Sequence, residues 1–228
     1  MEKILHIIPA AGKASRIGGI PKFLLPISQN NFLINFHSNL LPNDDQSIKK
    51  VIAVSSEFYE TVHRLNLNTE ILEVNTNTMN ETILKVINSY PSYSNYLLTM
   101  PDTYYLDNNV IQRLRFNFHE KKSNVQLALW KIKKNQIGNL GQVEIKNKKI
   151  IQIVDKDPDC NFPYAWGAII WNKNVNNFIN TNESTIGNIL NPLLSIAEEI
   201  EYVIAENEYF DCGTFYEYTK LLKLIGGK

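Results

Sequence analysis

The first half of the chain alternates short apolar runs with stretches of helical periodicity. Residues 3–8 form a β-branched run, after which Phe32, Leu33, Phe36 and Leu40 recur at helical spacing as far as Pro42. Residues 51–54, 71–74 and 96–100 predict three further strands, with helices over about 56–65 and 79–90 between them. Near-continuous apolar strands alternating with amphipathic helices imply a parallel sheet covered on both faces.

Beyond about residue 123 the rhythm changes. Runs at 125–132, 142–146 and 150–154 follow one another closely, and Asn147-Lys148 is placed to turn the last two into an antiparallel hairpin. A strand over 165–171, helices near 173–180 and 185–199, a short strand at 202–205 and a helix from Thr214 complete the pattern. The expectation is one α/β domain over residues 1–228, with a parallel first half and a mixed, partly antiparallel second half.

Composition narrows the partners. With 228 residues, 44% of them hydrophobic, the chain can bury one sizeable core. Lys plus Arg equals Asp plus Glu at 23 each, so no overall field favours nucleic acid or an anionic membrane, and any anion site must be local. The apolar run at the start is too short for a signal peptide and no segment reaches bilayer length, which gives a cytoplasmic expectation. Cys160, Cys212 and the four histidines lack metal-ligand spacing.

In an open parallel sheet, ligands bind outside the carboxyl ends of the strands. There the first strand gives way to Ala10-Ala11-Gly12-Lys13-Ala14-Ser15-Arg16, whose small residues let backbone N–H groups approach a phosphate, with Arg16 and Lys22 to supply charge. An ordinary βα turn with two exposed cations explains the same residues. Two acidic residues shift that balance. Asp102 ends "YLLTMPD", and Asp107 is better placed to cap the following helix. Asp211 precedes Thr214 and Glu217, which form a Thr-x-x-Glu capping box of their own. Two carboxylates unclaimed by caps are what Mg²⁺ needs when its other ligands are water and substrate phosphate.

"PAAGKASRIGGIPKFLLPI", "LLTMPDTYY", "IVDKDPD" and "YFDCGTFYEYTKLLK" occur in the order, and near the separations, of the signature segments of sugar-phosphate nucleotidyltransferases. The chain resembles that family over nearly its full length, its glucose-1-phosphate thymidylyltransferase and uridylyltransferase members most. The resemblance implies a Rossmann-like α/β nucleotidyltransferase fold, with a mostly parallel central sheet and helices on both faces. It implies a Mg²⁺-dependent enzyme that transfers NMP from an NTP to a sugar 1-phosphate, releasing pyrophosphate. By position, Arg16 and Lys22 match the catalytic cations, and Ala10, Ala11, Gly12, Lys13, Asn80, Glu81 and Asp102 the nucleotide site. Gly141, Asp155, Lys156, Trp166 and Gly167 fall on the substrate side, and Asp102 with Asp211 on the metal pair. Thr78 and Glu81 also read as a capping box. The implied partners are the NTP and a phosphorylated small molecule, with no nucleic acid or membrane, in a monomer or homodimer.

Departures from the family pattern leave the base open. Ala11 and Ala14 replace glycines, Pro101 stands for the Gly before the acidic residue, and Asp155-Lys156-Asp157 replaces Glu-Lys-Pro. The short spacing from Arg16 to Pro21-Lys22 is closer to cytidylyltransferases of phosphorylated alcohols, which is the alternative reading. A glycosyltransferase with an Asp-x-Asp metal grip is disfavoured by Tyr104, two residues beyond Asp102. A catalytically dead sensor is disfavoured because Arg16, Lys22, Asp102, Lys156 and Asp211 are all present.

Overall fold

A computed structural model describes residues 3–12, 19–107, 109–183, 186–196 and 200–226. In chain order the elements are β1 Ile4–Ala10, β2 Pro26–Ser28, β3 Asn31–Phe32, α1 Leu33–Ser38, β4 Ile48–Ser55, α2 Ser56–His63, β5 Glu70–Val74 and α3 Met79–Ser89. Then come β6 Asn95–Thr99, β7 Thr103–Tyr105, α4 Val110–Lys121, β8 Val125–Lys131, β9 Gly141–Lys146, β10 Lys149–Asp155 and β11 Tyr164–Asn172. The chain closes with α5 Leu190–Ser195, β12 Glu201–Ile204, β13 Tyr209–Asp211 and α6 Phe215–Gly226.

The main sheet runs β10-β9-β11-β6-β1-β4-β5, with β8 on β11 and β12 on β8. Strands β5, β4, β1 and β6 pair in parallel, whereas β11 is antiparallel to β6, β8 and β9. This is the mostly parallel sheet with a mixed second half that the sequence pattern implies. Alternation along β1 sends Leu5 and Ile7 to the face covered by α3 and α5, and Ile8 and Ala10 to the face covered by α1 and α2. In α3, Met79, Ile83, Val86 and Ile87 recur on that buried face, and the Thr78 hydroxyl accepts the Glu81 N–H at 3.1 Å to start the helix.

Several boundaries differ from the expectation. β1 continues through Pro9 to Ala10, because β6 pairs it only as far as Ile7, so the missing Pro9 N–H costs no bond on that side. α1 ends at Ser38 rather than near Pro42. The Lys50 ammonium, arriving from β4, donates to the carbonyls of Ser38 (2.7 Å) and Leu41 (3.2 Å) and closes the helix early. The 173–180 helix is a 3₁₀ run, Lys173–Phe178. Within 185–199 the described residues form a 3₁₀ turn, Ile186–Ile189, and the short α5, where Pro192 is tolerated in the first turn. The hairpin at Asn147-Lys148 is present, with φ of 51° and 61° at its two central residues, the left-handed pair of a type I′ turn.

Asp107 has a structural role somewhat different from a simple cap. Helix α4 begins at Val110, and the Asp107 carboxylate accepts the N–H groups of Asn109 (3.1 Å) and Glu206 (3.0 Å) and a two-pronged bond from Arg113 (2.7 and 3.3 Å). These bonds tie the start of α4 to the chain after β12.

Gly167 sits at a register shift in β11. A Cβ there would lie 2.5 Å from Tyr209 Cε2 and 2.8 Å from Trp130 Cζ3, both in buried rings. Because these rings are packed on both sides, Gly167→Ala is expected to destabilise the fold by about 1–3 kcal/mol. Chemical denaturation at neutral pH measures this.

Candidate active site

The site lies where β1 and β6 end. Past Thr99 the chain turns at Met100-Pro101-Asp102, and the Met100 carbonyl accepts from the Thr103 N–H (3.2 Å) and hydroxyl (2.7 Å). Strand β7 follows at once and pairs with β13, Thr103 lying opposite Asp211. The Cys212 N–H closes this ribbon on the Asp102 carbonyl at 2.9 Å. Two aspartates from distant parts of the sequence are thereby set at one end of a two-stranded ribbon.

Lys22 reaches the same place from a 3₁₀ turn, Lys22–Leu24, anchored by the buried Phe23 and by the Leu24 N–H on the Pro21 carbonyl at 2.9 Å. Its ammonium lies 3.0 Å from Asp102 Oδ2, and both side chains are about a quarter exposed. Asp211 Oδ1 accepts the Gly213 N–H at 2.9 Å. Burial, then the negative charge of Asp102, pushes the Asp211 carboxyl up to about 6, against the opposing pull of the Gly213 N–H and Lys22. These three side chains open into a cleft of about 370 Å³, whose wall also includes Ala10, Gly12 and Lys156.

Gly213 fits between the charged groups. A Cβ there would lie 2.7 Å from Asp211 Oδ1 and 2.9 Å from Lys22 Nζ. Both neighbours are side-chain ends that can yield, so Gly213→Ala is expected to fold normally. If the cleft is a catalytic site, displacing Asp211 and Lys22 together should cut turnover by about 10²-fold, read by steady-state kinetics beside a thermal melt.

A second cluster stands beside the cleft. Asp155 ends β10 opposite Gly141 of β9. Lys156 follows with φ of 55°, and its N–H bonds the Leu140 carbonyl at 3.2 Å, which turns the residue into the cleft wall. A Cβ at Gly141 would run into Trp166 Nε1 and lie 2.7 Å from Asp155 Oδ1. One at Gly187 would lie 3.2 Å from both Asp155 Cγ and Trp166 Cζ2. Trp166 is thus packed against two glycines with its indole N–H buried and without an acceptor among the described residues. Gly167 faces Tyr209 and Trp130 rather than this cluster.

Lys13 and Arg16 lie outside the described residues. Ala11 packs on the core beside Ala10 and Gly12. The buried Asn80 amide donates to the Asn180 carbonyl at 2.8 Å, and the Glu81 carboxylate accepts the Asn77 N–H at 2.7 Å. Neither is in the cleft wall. At the other capping box the Glu217 N–H meets Thr214 Oγ1 at 3.3 Å, but the Glu217 carboxylate turns away, accepting from Asn135 and Gln136. Gln136 in turn donates to the Tyr209 carbonyl at 3.0 Å, so the loop carrying Gly138 and Asn139 is tied to β13 and α6.

Although the four histidines lack metal-ligand spacing in the sequence, His6 and His37 meet in the core. His6 Nε2 lies 2.9 Å and His37 Nδ1 3.1 Å from the Thr99 hydroxyl, and His37 Nε2 lies 2.8 Å from the Thr103 carbonyl. His6 on the apolar alternation of β1 was the available signal. Burial lowers His6 from 6.5 to about 3 and His37 to about 4; nearby positive charge adds to the effect at His6, while the Thr103 carbonyl and Asp102 oppose it at His37. Both rings are neutral in the native protein at pH 7. The unfolded chain takes up protons near 6.5 and the folded chain does not, so this stability is complete above that pH and erodes as pH falls toward 4 and 3. Asp211 acts oppositely below about 6, but as one group against two. A lower melting temperature at pH 5 than at pH 7.5 is expected by circular dichroism.

A family model described as the MobA-like NTP transferase domain matches residues 6–143. The bifunctional protein GlmU of Buchnera aphidicola subsp. Baizongia pistaciae is 28% identical over 156 residues, 65% of this chain and 33% of that protein. The chain therefore spans about a third of the length of that curated relative. A Bacillus anthracis chain described as a glucose-1-phosphate thymidylyltransferase, solved with a sucrose, superposes with a TM-score of 0.82 at 19% identity, covering 97% of this chain and 95% of that one. A UDP-glucose pyrophosphorylase complexed with UDP-glucose gives 0.78 at 16%, covering 100% and 99%. The inositol-1-phosphate CTP transferase from T. maritima gives 0.73 at 15%, covering 97% and 95%.

Proposed function

The chain belongs to the MobA-like NTP transferase domain family, and from that premise we propose that its cleft transfers a nucleoside monophosphate from an NTP to a sugar 1-phosphate, yielding an NDP-sugar and pyrophosphate. The observation that carries this reading is the convergence of Lys22, Asp102 and Asp211 at the carboxyl ends of β1 and β6. A phosphate oxygen of the acceptor attacks the α-phosphorus as the bond to the β-phosphate oxygen breaks, so several anionic groups must be brought together. Repulsion is the main barrier, and fixed positive charge lowers it.

The carboxylate pair fits Mg²⁺. Both donors are hard oxygens, burial and then their mutual repulsion raise Asp211, and a shared cation would relieve the repulsion. Among the described residues no group of three His, Cys, Asp or Glu side chains is arranged to hold a metal, so the remaining ligands would be water and substrate phosphate. Bound there, Mg²⁺ supplies charge neutralisation and orientation of the phosphates. Lys22 holds Asp102 in place and presents its charge to the reacting phosphates. Ala10, Ala11 and Gly12 leave room for the nucleotide, with Lys13 and Arg16 assigned to the same loop by sequence alone. Lys156 receives the acceptor phosphate, and Asp155, Gly141 and Trp166 form the sugar side.

A second reading, a cytidylyltransferase acting on a phosphorylated alcohol or amine, is favoured by the short Arg16-to-Lys22 spacing and the short side chain of Asp155. In either case the partners are an NTP and a phosphorylated small molecule, with the chain acting as a monomer or homodimer. No helix among the described residues is long and apolar enough to cross a membrane. The test is pyrophosphate release across CTP, UTP, dTTP, GTP and ATP, against sugar 1-phosphates, choline phosphate and polyol phosphates. Metal-dependent release with a sugar 1-phosphate supports the first reading, release only with CTP and an alcohol phosphate the second, and no release with any pair refutes both.

A further inference from the structure

Directly behind the Asp102 turn lies the buried group formed by His6, Thr99, His37 and the Thr103 carbonyl. His6, His37 and Thr99 are wholly buried and Thr103 nearly so. Donor and acceptor rules leave one proton arrangement for neutral rings. A carbonyl only accepts, so His37 carries its hydrogen on Nε2 and donates it to Thr103. His37 Nδ1 is then an acceptor, satisfied by the Thr99 hydroxyl hydrogen. The Thr99 oxygen accepts in turn from His6 Nε2–H. Three donors thus run in one direction and end on the carbonyl of the residue after Asp102.

That carbonyl belongs to a turn pinned on every side. Asp102 O accepts from Cys212, Met100 O accepts twice from Thr103, and Thr103 O accepts from His37. The histidine bond ties the turn to α1, beside the stacking of Phe36 on Tyr104, whereas the other bonds tie it to itself or to the β13 ribbon. The chain of donors is not an economical way to fill a core, since it leaves His6 Nδ1 buried without a partner among the described residues, where an apolar trio would leave nothing unsatisfied. A polar network in the layer next to the candidate metal pair, and directed at its backbone, is placed to set geometry.

We propose that His37, oriented by Thr99 and His6, is a positioning residue that fixes the Asp102 turn so that its carboxylate and that of Asp211 share one cation. This rests on the metal-holding role given to the pair under the proposed function. Losing the network loosens the backbone that carries the Asp102 carboxylate, so the effect falls on cation affinity rather than on nucleotide contacts.

The test uses the full-length protein with Mn²⁺ and inorganic tripolyphosphate, a probe that needs no knowledge of the base. Thr99→Val preserves shape and removes the hydroxyl that orients His37. His37→Leu removes the donor, and His37→Gln returns an amide N–H near the lost Nε2. Electron paramagnetic resonance titration is expected to show Mn²⁺ bound about tenfold more weakly by Thr99→Val and His37→Leu, with affinity largely recovered in His37→Gln. Where turnover is measurable, the Mg²⁺ concentration for half-maximal rate should rise in parallel while KM for the NTP at saturating Mg²⁺ stays within about twofold. In the unaltered protein, ¹⁵N spectra should place the His37 proton on Nε2 and show that resonance moving when the metal complex binds. Wild-type Mn²⁺ affinity in a folded Thr99→Val or His37→Leu overturns the proposal. So does a His37 proton on Nδ1, or a resonance indifferent to the metal, and these hold even if no variant folds. Should no substrate pair release pyrophosphate, the proposed reaction fails while the Mn²⁺ and ¹⁵N readings still decide the role of His37.

Discussion

Replacing Lys22 with alanine is expected to lower pyrophosphate release by about 10²–10³ while leaving the fold intact. The size follows from the position of the ammonium: it is 3.0 Å from Asp102, close to Asp211 across Gly213, and faces the cleft. Removing it withdraws positive charge from where the phosphates would gather, and also frees the Asp102 carboxylate to rotate. Lys22 is about a quarter exposed and is held by the buried Phe23 beside it, so the turn survives the change. Steady-state rates with a thermal melt test both halves, and turnover near wild type would remove Lys22 from the mechanism.

Asp211→Asn should separate function from stability. Its carboxyl sits at about 6 in the folded protein against 3.8 ordinarily, because burial and Asp102 disfavour its charge. The folded state therefore holds a proton more tightly than the unfolded one. Stability from that preference is complete below 3.8 and is lost as pH rises through about 6, so above it the metal-free protein carries an ionised, poorly solvated carboxylate. Asparagine keeps an oxygen for the Gly213 N–H and removes the charge. At pH 7.5 without metal the variant is expected to be more stable by on the order of 1–2 kcal/mol. Its turnover should fall by about 10² or more, since one of the two carboxylates proposed to hold the metal becomes a neutral amide. Melting curves with and without Mg²⁺ and NTP should show wild type gaining stability from the pair of ligands and the variant gaining little. A variant less stable than wild type at pH 7.5 would count against the origin given for the raised carboxyl.

Asp102 and Asp211 were legible in the sequence by elimination: each stood at a strand end with a better cap candidate nearby. What brought them together was not legible. β7 and β13 are three residues long, and neither "TYY" nor "YFD" carries a periodic signal, so the ribbon that joins them appears only in three dimensions. The parallel half was readable because strands buried on both faces are continuously apolar, as "VIAV" is in β4. Helices were misjudged where side chains from elsewhere set their ends, as Lys50 does for α1, or where Asn-rich sequence settles for 3₁₀ turns, as at Lys173–Phe178. The histidine network was not legible because the partners of His6 come from α1 and β6, and no spacing in the sequence links His6 to His37 or Thr99. Gly213 and Gly187 carry no sequence signal beyond being glycine; their value lies in the side chains a Cβ would strike.

In the proposed reaction Asp102 and Asp211 hold one divalent cation on the phosphates of a nucleotide whose loop begins at Ala10. Crystals grown with Mn²⁺ and a non-hydrolysable NTP, measured at the manganese absorption edge, test it most directly. An anomalous peak shared by the two carboxylates, with the triphosphate beside Lys22, is the expected result. A peak on neither aspartate, or a nucleotide seated away from Lys22, would contradict it.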